Sequence, residues 1–150
     1  MSHPSIFSYT FTIPQSVIDE NGHVNNVAFV QWMQDAAIRH GQERLAGYNG
    51  YNLNTTLVLD QNATFVVREH RIEYLLPAFL GEEIEVHTWL NEARRVRLHR
   101  RYEFVRKSDG KVVAKGETDW VYVDTSTGRP IAIPATMLEL FPVLPDPGKE

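Results

Sequence analysis

The stretch Ile18-Asp19-Glu20-Asn21-Gly22-His23-Val24-Asn25-Asn26 runs directly into a segment of helical periodicity, residues 27–45. In that segment Phe29, Val30, Met33, Ala36 and Ala37 recur at the offsets of one buried helix face. Asn25 or Asn26 is a natural N-cap, because a short amide side chain accepts a hydrogen bond from a free N–H of the first turn. Gly47 is the expected stop, since glycine enters the left-handed conformation after a helix at little steric cost. An acidic residue, a histidine and two amides therefore stand just before the N-terminus of an apolar helix. Backbone N–H groups at such a place can polarise a bound carbonyl.

Outward from this stretch the pattern is β-like. Before it, residues 6–13 alternate, with Phe7, Tyr9, Phe11 and Ile13 on one side and Ser8, Thr10 and Thr12 on the other. Pro14 ends that strand, because proline cannot donate to a ladder. After the helix, residues 47–54 form a Gly- and Asn-rich connection. Residues 55–59 read as β, with a break at 60–62. Residues 64–76 read as a long strand in which neither side is purely apolar, a pattern expected beside a second subunit or a site. Further strands are expected at 83–90, 96–106 and 112–123, the last two joined by the hairpin turn Ser108-Asp109-Gly110-Lys111. Along 96–104 the apolar side carries Val96, Leu98, Tyr102 and Phe104 and is interrupted by Arg100. Residues 134–141 form a short helix with proline in its first turn. The order of strand, long helix and consecutive antiparallel strands is α+β.

Composition narrows the class. The 150 residues fit one domain with a sizeable core, residues 1–150, followed within it by a loose Pro-rich tail at 142–150. A net charge of -4 offers no electrostatic case for nucleic acid. No apolar run approaches the ~20 residues that span a bilayer, so no membrane segment is expected. The start, residues 1–5, has neither a basic region nor an apolar core, so no signal peptide is expected. The chain has no Cys, which removes disulfides, thiolate metal sites and a Cys nucleophile and is compatible with a cytoplasmic location. The histidines show no tight metal-ligand spacing and no His-Glu-x-x-His, so no metal is expected. No Gly-x-Ser-x-Gly is present, which counts against an α/β-hydrolase esterase.

Two stretches resemble the hot-dog-fold acyl-CoA thioesterases, and more narrowly the 4-hydroxybenzoyl-CoA thioesterase-like group with its small Tol–Pal-associated members. One is Asp19-Glu20-Asn21-Gly22-His23-Val24-Asn25-Asn26-Val27-Ala28-Phe29, similar to the family's Asp-x-x-Gly loop and helix start. The other is Phe65-Val66-Val67-Arg68-Glu69-His70-Arg71-Ile72-Glu73-Tyr74-Leu75-Leu76-Pro77-Ala78, leading to Gly81-Glu82-Glu83. The resemblance covers about residues 6–133. It implies a long central helix wrapped by a curved antiparallel sheet, and a homodimer, often doubled to a homotetramer, with sites at the subunit interface. It also implies an acyl-CoA substrate and no cofactor, coenzyme A entering as part of the substrate.

Carried onto this chain, the resemblance makes Asp19 the catalytic carboxylate. Ionised, it would activate water as a general base or attack the thioester carbonyl. The N–H of Asn26, Val27 or Ala28 would stabilise the oxyanion. Gly22 would let the backbone pass close to the thioester, or serve only as a turn glycine. Asn26 stands where many relatives carry His or Asn. An amide donates but transfers no proton at neutral pH, which leaves His23 as the candidate for an acid step. Asn25 and Val27 complete the loop as candidate substrate contacts. Arg68, Arg71 and the cluster Arg94, Arg95, Arg97, Arg100 and Arg101 are candidates for coenzyme A phosphates, although a solvated edge or intersubunit ion pairs account for most of that cluster. The alternatives are a hot-dog enoyl-thioester hydratase or dehydratase, and a non-catalytic acyl-thioester binding protein.

Overall fold

The computed structural model describes residues 5–46 and 62–147. Its elements run β1 (Phe7–Thr12), a 3-10 turn (Gln15–Val17), α1 (Asn26–Leu45), β2 (Ala63–Tyr74), β3 (Glu83–Ala93), β4 (Arg97–Arg106), β5 (Val112–Asp124) and α2 (Ala135–Leu140). The five strands form one antiparallel sheet in the order β1-β3-β4-β5-β2. The expected helix-and-sheet arrangement is present. The helix stop at Gly47, the expected connection at 47–54, the strand at 55–59 and all but the last residue of the break at 60–62 lie outside the described residues.

The core lies between α1 and one face of the sheet. Ala28, Phe29, Trp32, Met33 and Ala36 of α1 pack on Ile84, Val86, Tyr102, Phe104, Val113 and Ala114. Val30 and Ala37, expected on the same face, sit at its half-buried margins. Each large side chain buried here contributes about 1.5–3 kcal/mol relative to an exposed one. Gly116 permits the close approach, since a Cβ on it would stand 2.8 Å from Met33 Sδ. A second cluster joins Leu45, Ala63, Leu90, Leu98 and Tyr122 to Met137 and Phe141 at α2.

Three expectations need correction. The mixed faces of β2 come from a bulge, because Arg68 is skipped between Val67↔Trp120 and Glu69↔Asp119. One extra residue inverts the alternation. Ala63 and Phe65 turn inward before it, and His70 and Ile72 after it. Arg100 is no surface residue. It is 6% exposed on the core side of β4, while its neighbours in the basic cluster pair within the chain: Arg94 with Glu92, Arg97 with Asp119, and Arg101 with Glu117. The tail is held as far as Pro147. Leu144 N–H donates to Leu90 O, and the Asp146 carboxylate accepts from Arg101 at 2.7 Å and from Asn91 at 3.0 Å. Among the described residues no helix is long and apolar enough to cross a membrane.

Candidate active site

The loop before α1 is a closed backbone turn. Asp19 N–H donates to His23 O at 2.9 Å and Gly22 N–H to Asp19 O at 3.0 Å, while Ile18 and Val24 form a single bridge. Gly22 takes φ +83°, in the left-handed region that a side chain disfavours. A Cβ there meets nothing within 4 Å. The glycine is therefore required by backbone conformation, as a turn glycine, and not by a close neighbour within the chain.

That turn orients the Asp19 carboxylate. Its Oδ1 accepts from Asn21 N–H at 2.9 Å and, more weakly, from His23 N–H at 3.4 Å. Its Oδ2 lies 3.8 Å from His23 Nδ1, beyond hydrogen-bond length, and accepts nothing from the backbone of the turn. The side chain keeps 29% of its surface exposed, with one oxygen held by the turn. The His23 ring meets Phe79 edge-on, with centroids 6.5 Å apart.

Of the two amides, Asn25 is the cap. Its Oδ1 accepts from Ala28 N–H at 2.9 Å, and its Nδ2 donates to Val17 O at 3.1 Å. Its side chain thus joins the helix start to the 3-10 turn, and its role is to position the loop. Ala28 N–H is consumed by this cap, which removes it from the three expected oxyanion donors. The N–H groups of Asn26 and Val27 have no partner among the described residues, because the first helical residues have no carbonyl four positions back inside the helix. The Asn26 side chain makes no hydrogen bond among the described residues and is exposed, and Val27 is 75% exposed beside it.

The structure thus gathers Asp19, Gly22, His23, Asn25, Asn26 and Val27 in one place. Arg68 and Arg71 are not part of that loop; both are exposed on the edge strand β2. Two residues of this region carried no assigned role in the sequence. The Tyr74 hydroxyl donates to Asn26 O at 2.9 Å and ties the end of β2 to the helix start, and Phe79 flanks His23. Tyr74 belongs to the second quoted stretch, but a hydrogen bond across 48 residues leaves no local pattern. Around them Leu75, Leu76, Phe79 and Leu80 are exposed.

A cavity of about 280 Å³ lies at the other end of α1. Ala37, Ile38, Phe65, Leu90 and Trp120 line it, with Met137 from α2. Arg100 reaches its wall. The only forewarning of this site in the sequence was Arg100 interrupting an apolar strand face.

Comparison with known proteins gives the family and the fold. The family profile described as the thioesterase-like superfamily matches residues 13–141. A curated protein of Agrobacterium fabrum, "L-carnitine dehydrogenase/betainyl-CoA thioesterase", is 28% identical over 130 residues, covering 81% of this chain and 23% of that protein. The chain therefore spans about a quarter of that relative's length. Among solved structures, a 1,4-dihydroxy-2-naphthoyl-CoA thioesterase from Synechocystis superposes with a TM-score of 0.76 at 17% identity, covering 91% of this chain and 95% of that one. A 12:0-ACP thioesterase from Umbellularia californica gives 0.77 at 21% identity, over 90% of this chain and 49% of that one. At these identities the two structures speak to the fold alone.

Proposed function

We propose, from the premise that this chain belongs to the thioesterase-like superfamily, that it hydrolyses acyl thioesters of coenzyme A to the free acid and the thiol. The observation that carries this reading is a partly exposed carboxylate held by two backbone N–H groups, a few residues before two N–H groups at a helix N-terminus that have no partner among the described residues. The thioester oxygen accepts from Asn26 and Val27 N–H. Those donors strengthen as negative charge develops on it, and one such donor is typically worth about 10²–10³ in rate. Asp19 then either takes a proton from the attacking water or attacks the carbonyl itself, giving an anhydride that water opens. In both routes the acyl–sulfur bond breaks and the sulfur leaves with the electron pair. His23, beside Asp19, is the group placed to return a proton to it. The exposed Asn26 amide contributes a hydrogen bond only.

The site is completed by a second copy of the chain. β2 is a twelve-residue strand at the edge of the sheet, one side of its ladder has no partner strand among the described residues, and Val66 and Val67 are exposed on it. Pairing two such edges about a two-fold axis runs the strands antiparallel. The start of β2, which lines the cavity, then lies beside the end of the other β2, which carries Tyr74 and leads to the Asp19 loop. The cavity of one protomer thereby faces the catalytic loop of the other.

The test is thiol release from a panel of short, long and aromatic acyl-CoA thioesters, with wild type and Asp19→Asn in parallel. Wild type should release thiol, and Asp19→Asn should be slower by about 100-fold or more while remaining folded. Equal rates would remove Asp19 from the mechanism. No release from any thioester by the folded protein would remove the activity.

A further inference from the structure

Among the described residues, Arg100 is a buried cation without a carboxylate beside it. Its side chain projects from β4 between α1 and the sheet. There Nη1 donates to His40 Nδ1 at 2.9 Å and lies 3.1 Å from Thr88 Oγ1. Both partners are neutral groups. Nε is sealed from solvent and has no partner among the described residues. Among the described residues every ion pair of an arginine involves a different arginine. Burial lowers the Arg100 pKa, as expected of a guanidinium without a counter-charge. The group nevertheless remains charged, since arginine does not deprotonate in proteins.

A fold rarely buries a lone charge unless something pairs with it. Here Arg100 stands in the wall of the 280 Å³ cavity, whose remaining wall is mostly apolar. A cavity of roughly 150 Å³ holds one benzene, so this one admits a body of about ten non-hydrogen atoms. An apolar body with an anionic end fits both features. A cationic end group fits the aromatic rings of Phe65 and Trp120 but is opposed by the guanidinium.

We propose that this cavity is the acyl pocket and that Arg100 selects an acyl group ending in a carboxylate, the mono-coenzyme A thioester of a medium-length dicarboxylic acid. The assignment of the ligand as an acyl group rests on the thioesterase reading above. Binding of a free carboxylic acid in the cavity does not.

Two measurements separate these dependencies. The first compares kcat/KM for adipoyl-CoA, hexanoyl-CoA and betainyl-CoA. A guanidinium–carboxylate hydrogen bond is worth about ten- to hundredfold, so adipoyl-CoA should exceed hexanoyl-CoA by that factor in wild type. Arg100→Met should erase the preference and leave hexanoyl-CoA favoured. The wild-type ratio needs no variant, so it stands even if Arg100→Met fails to fold. The second is calorimetric titration of the folded protein with octanoate and, separately, 1-octanol. Octanoate should bind more tightly by a similar factor, and Ala37→Leu, which fills the cavity, should weaken both.

Equal turnover of adipoyl- and hexanoyl-CoA, or a preference for betainyl-CoA, would overturn the acyl-pocket proposal while leaving the hydrolase intact. Selective octanoate binding with no cleavage of any thioester would overturn the hydrolase reading and the acyl assignment, leaving a site for free acids. No difference between octanoate and octanol would overturn the carboxylate site itself.

Discussion

Phe7 stacks on the His40 ring at 5.5 Å, Phe141 meets it edge-on at 5.3 Å, and the residue is 2% exposed. Burial, reinforced by Arg100 and Arg44, pulls the His40 pKa down to about 3. The imidazole is therefore neutral, with one lone pair. The 2.9 Å contact from Arg100 assigns that lone pair to Nδ1, so Nε2 carries the proton and the 3.4 Å approach of Arg44 to it is not a donated bond. In the unfolded chain the same ring takes up a proton near pH 6.5. Between those values the unfolded state holds the extra proton, so stability falls as pH drops below about 6.5, at up to about 1.4 kcal/mol per unit. Above that pH the effect is absent. His70, also lowered by burial, adds a slope of the same sign. Urea midpoints between pH 7 and 5 should show the loss, and His40→Gln, which keeps an acceptor for Arg100, should flatten part of it. An unchanged slope in that variant would mean His40 is protonated in the fold. At this scale the sequence was legible for the turn at Gly22, because a polar stretch containing a glycine is a local pattern. The choice between Asn25 and Asn26 as cap was not legible, since either amide suffices and only the backbone bond from Asn25 to Val17 decides it.

The packing of α1 on the sheet depends on a missing side chain. Gly116 faces Met33 across a gap that a Cβ would close to 2.8 Å from Sδ and 3.0 Å from Cε, with Tyr102 Cδ1 at 3.4 Å. Met33 is wholly buried, so its flexible thioether has little room to retreat. Gly116→Ala should destabilise by about 1–3 kcal/mol through overpacking, read as a lower denaturant midpoint at unchanged slope. A neutral or stabilising result would show that the Met33 end group repacks freely. Alternation made β1, β3 and β5 readable, with boundaries moving by one to three residues. It failed on β2 because the bulge at Arg68 is set by pairing with β5, some fifty residues away. It failed on the tail for the same reason: Asp146 finds Arg101 only after the sheet has formed.

For the whole molecule the decisive surface is the β2 edge together with the apolar groups around the Asp19 loop. A twelve-residue ladder with no partner strand among the described residues is a liability in a monomer, and Val66 and Val67 do nothing to protect it. The proposed shared site requires a dimer or a higher even assembly. Light scattering at micromolar concentration should give at least twice the chain mass of 17.2 kDa, and Val67→Lys should lower both that mass and the thiol-release rate. A clean monomer with full activity would overturn the shared-site arrangement. The same strand order also governs how the chain reaches its fold. β3, β4 and β5 are consecutive neighbours and can zip from their turns, whereas Ala63 meets Asp124 and Tyr74 meets Ala114 only by closing long loops. On a ribosome, β2 emerges well before the strand that receives it, and it waits with both edges bare until β5 has left the exit tunnel. Its docking comes late, so Ile72→Val should speed unfolding and leave the refolding rate nearly untouched, and a matching slowing of refolding would reverse that order. The edge proposed to recruit a second copy is thus secured only once β5 is in place.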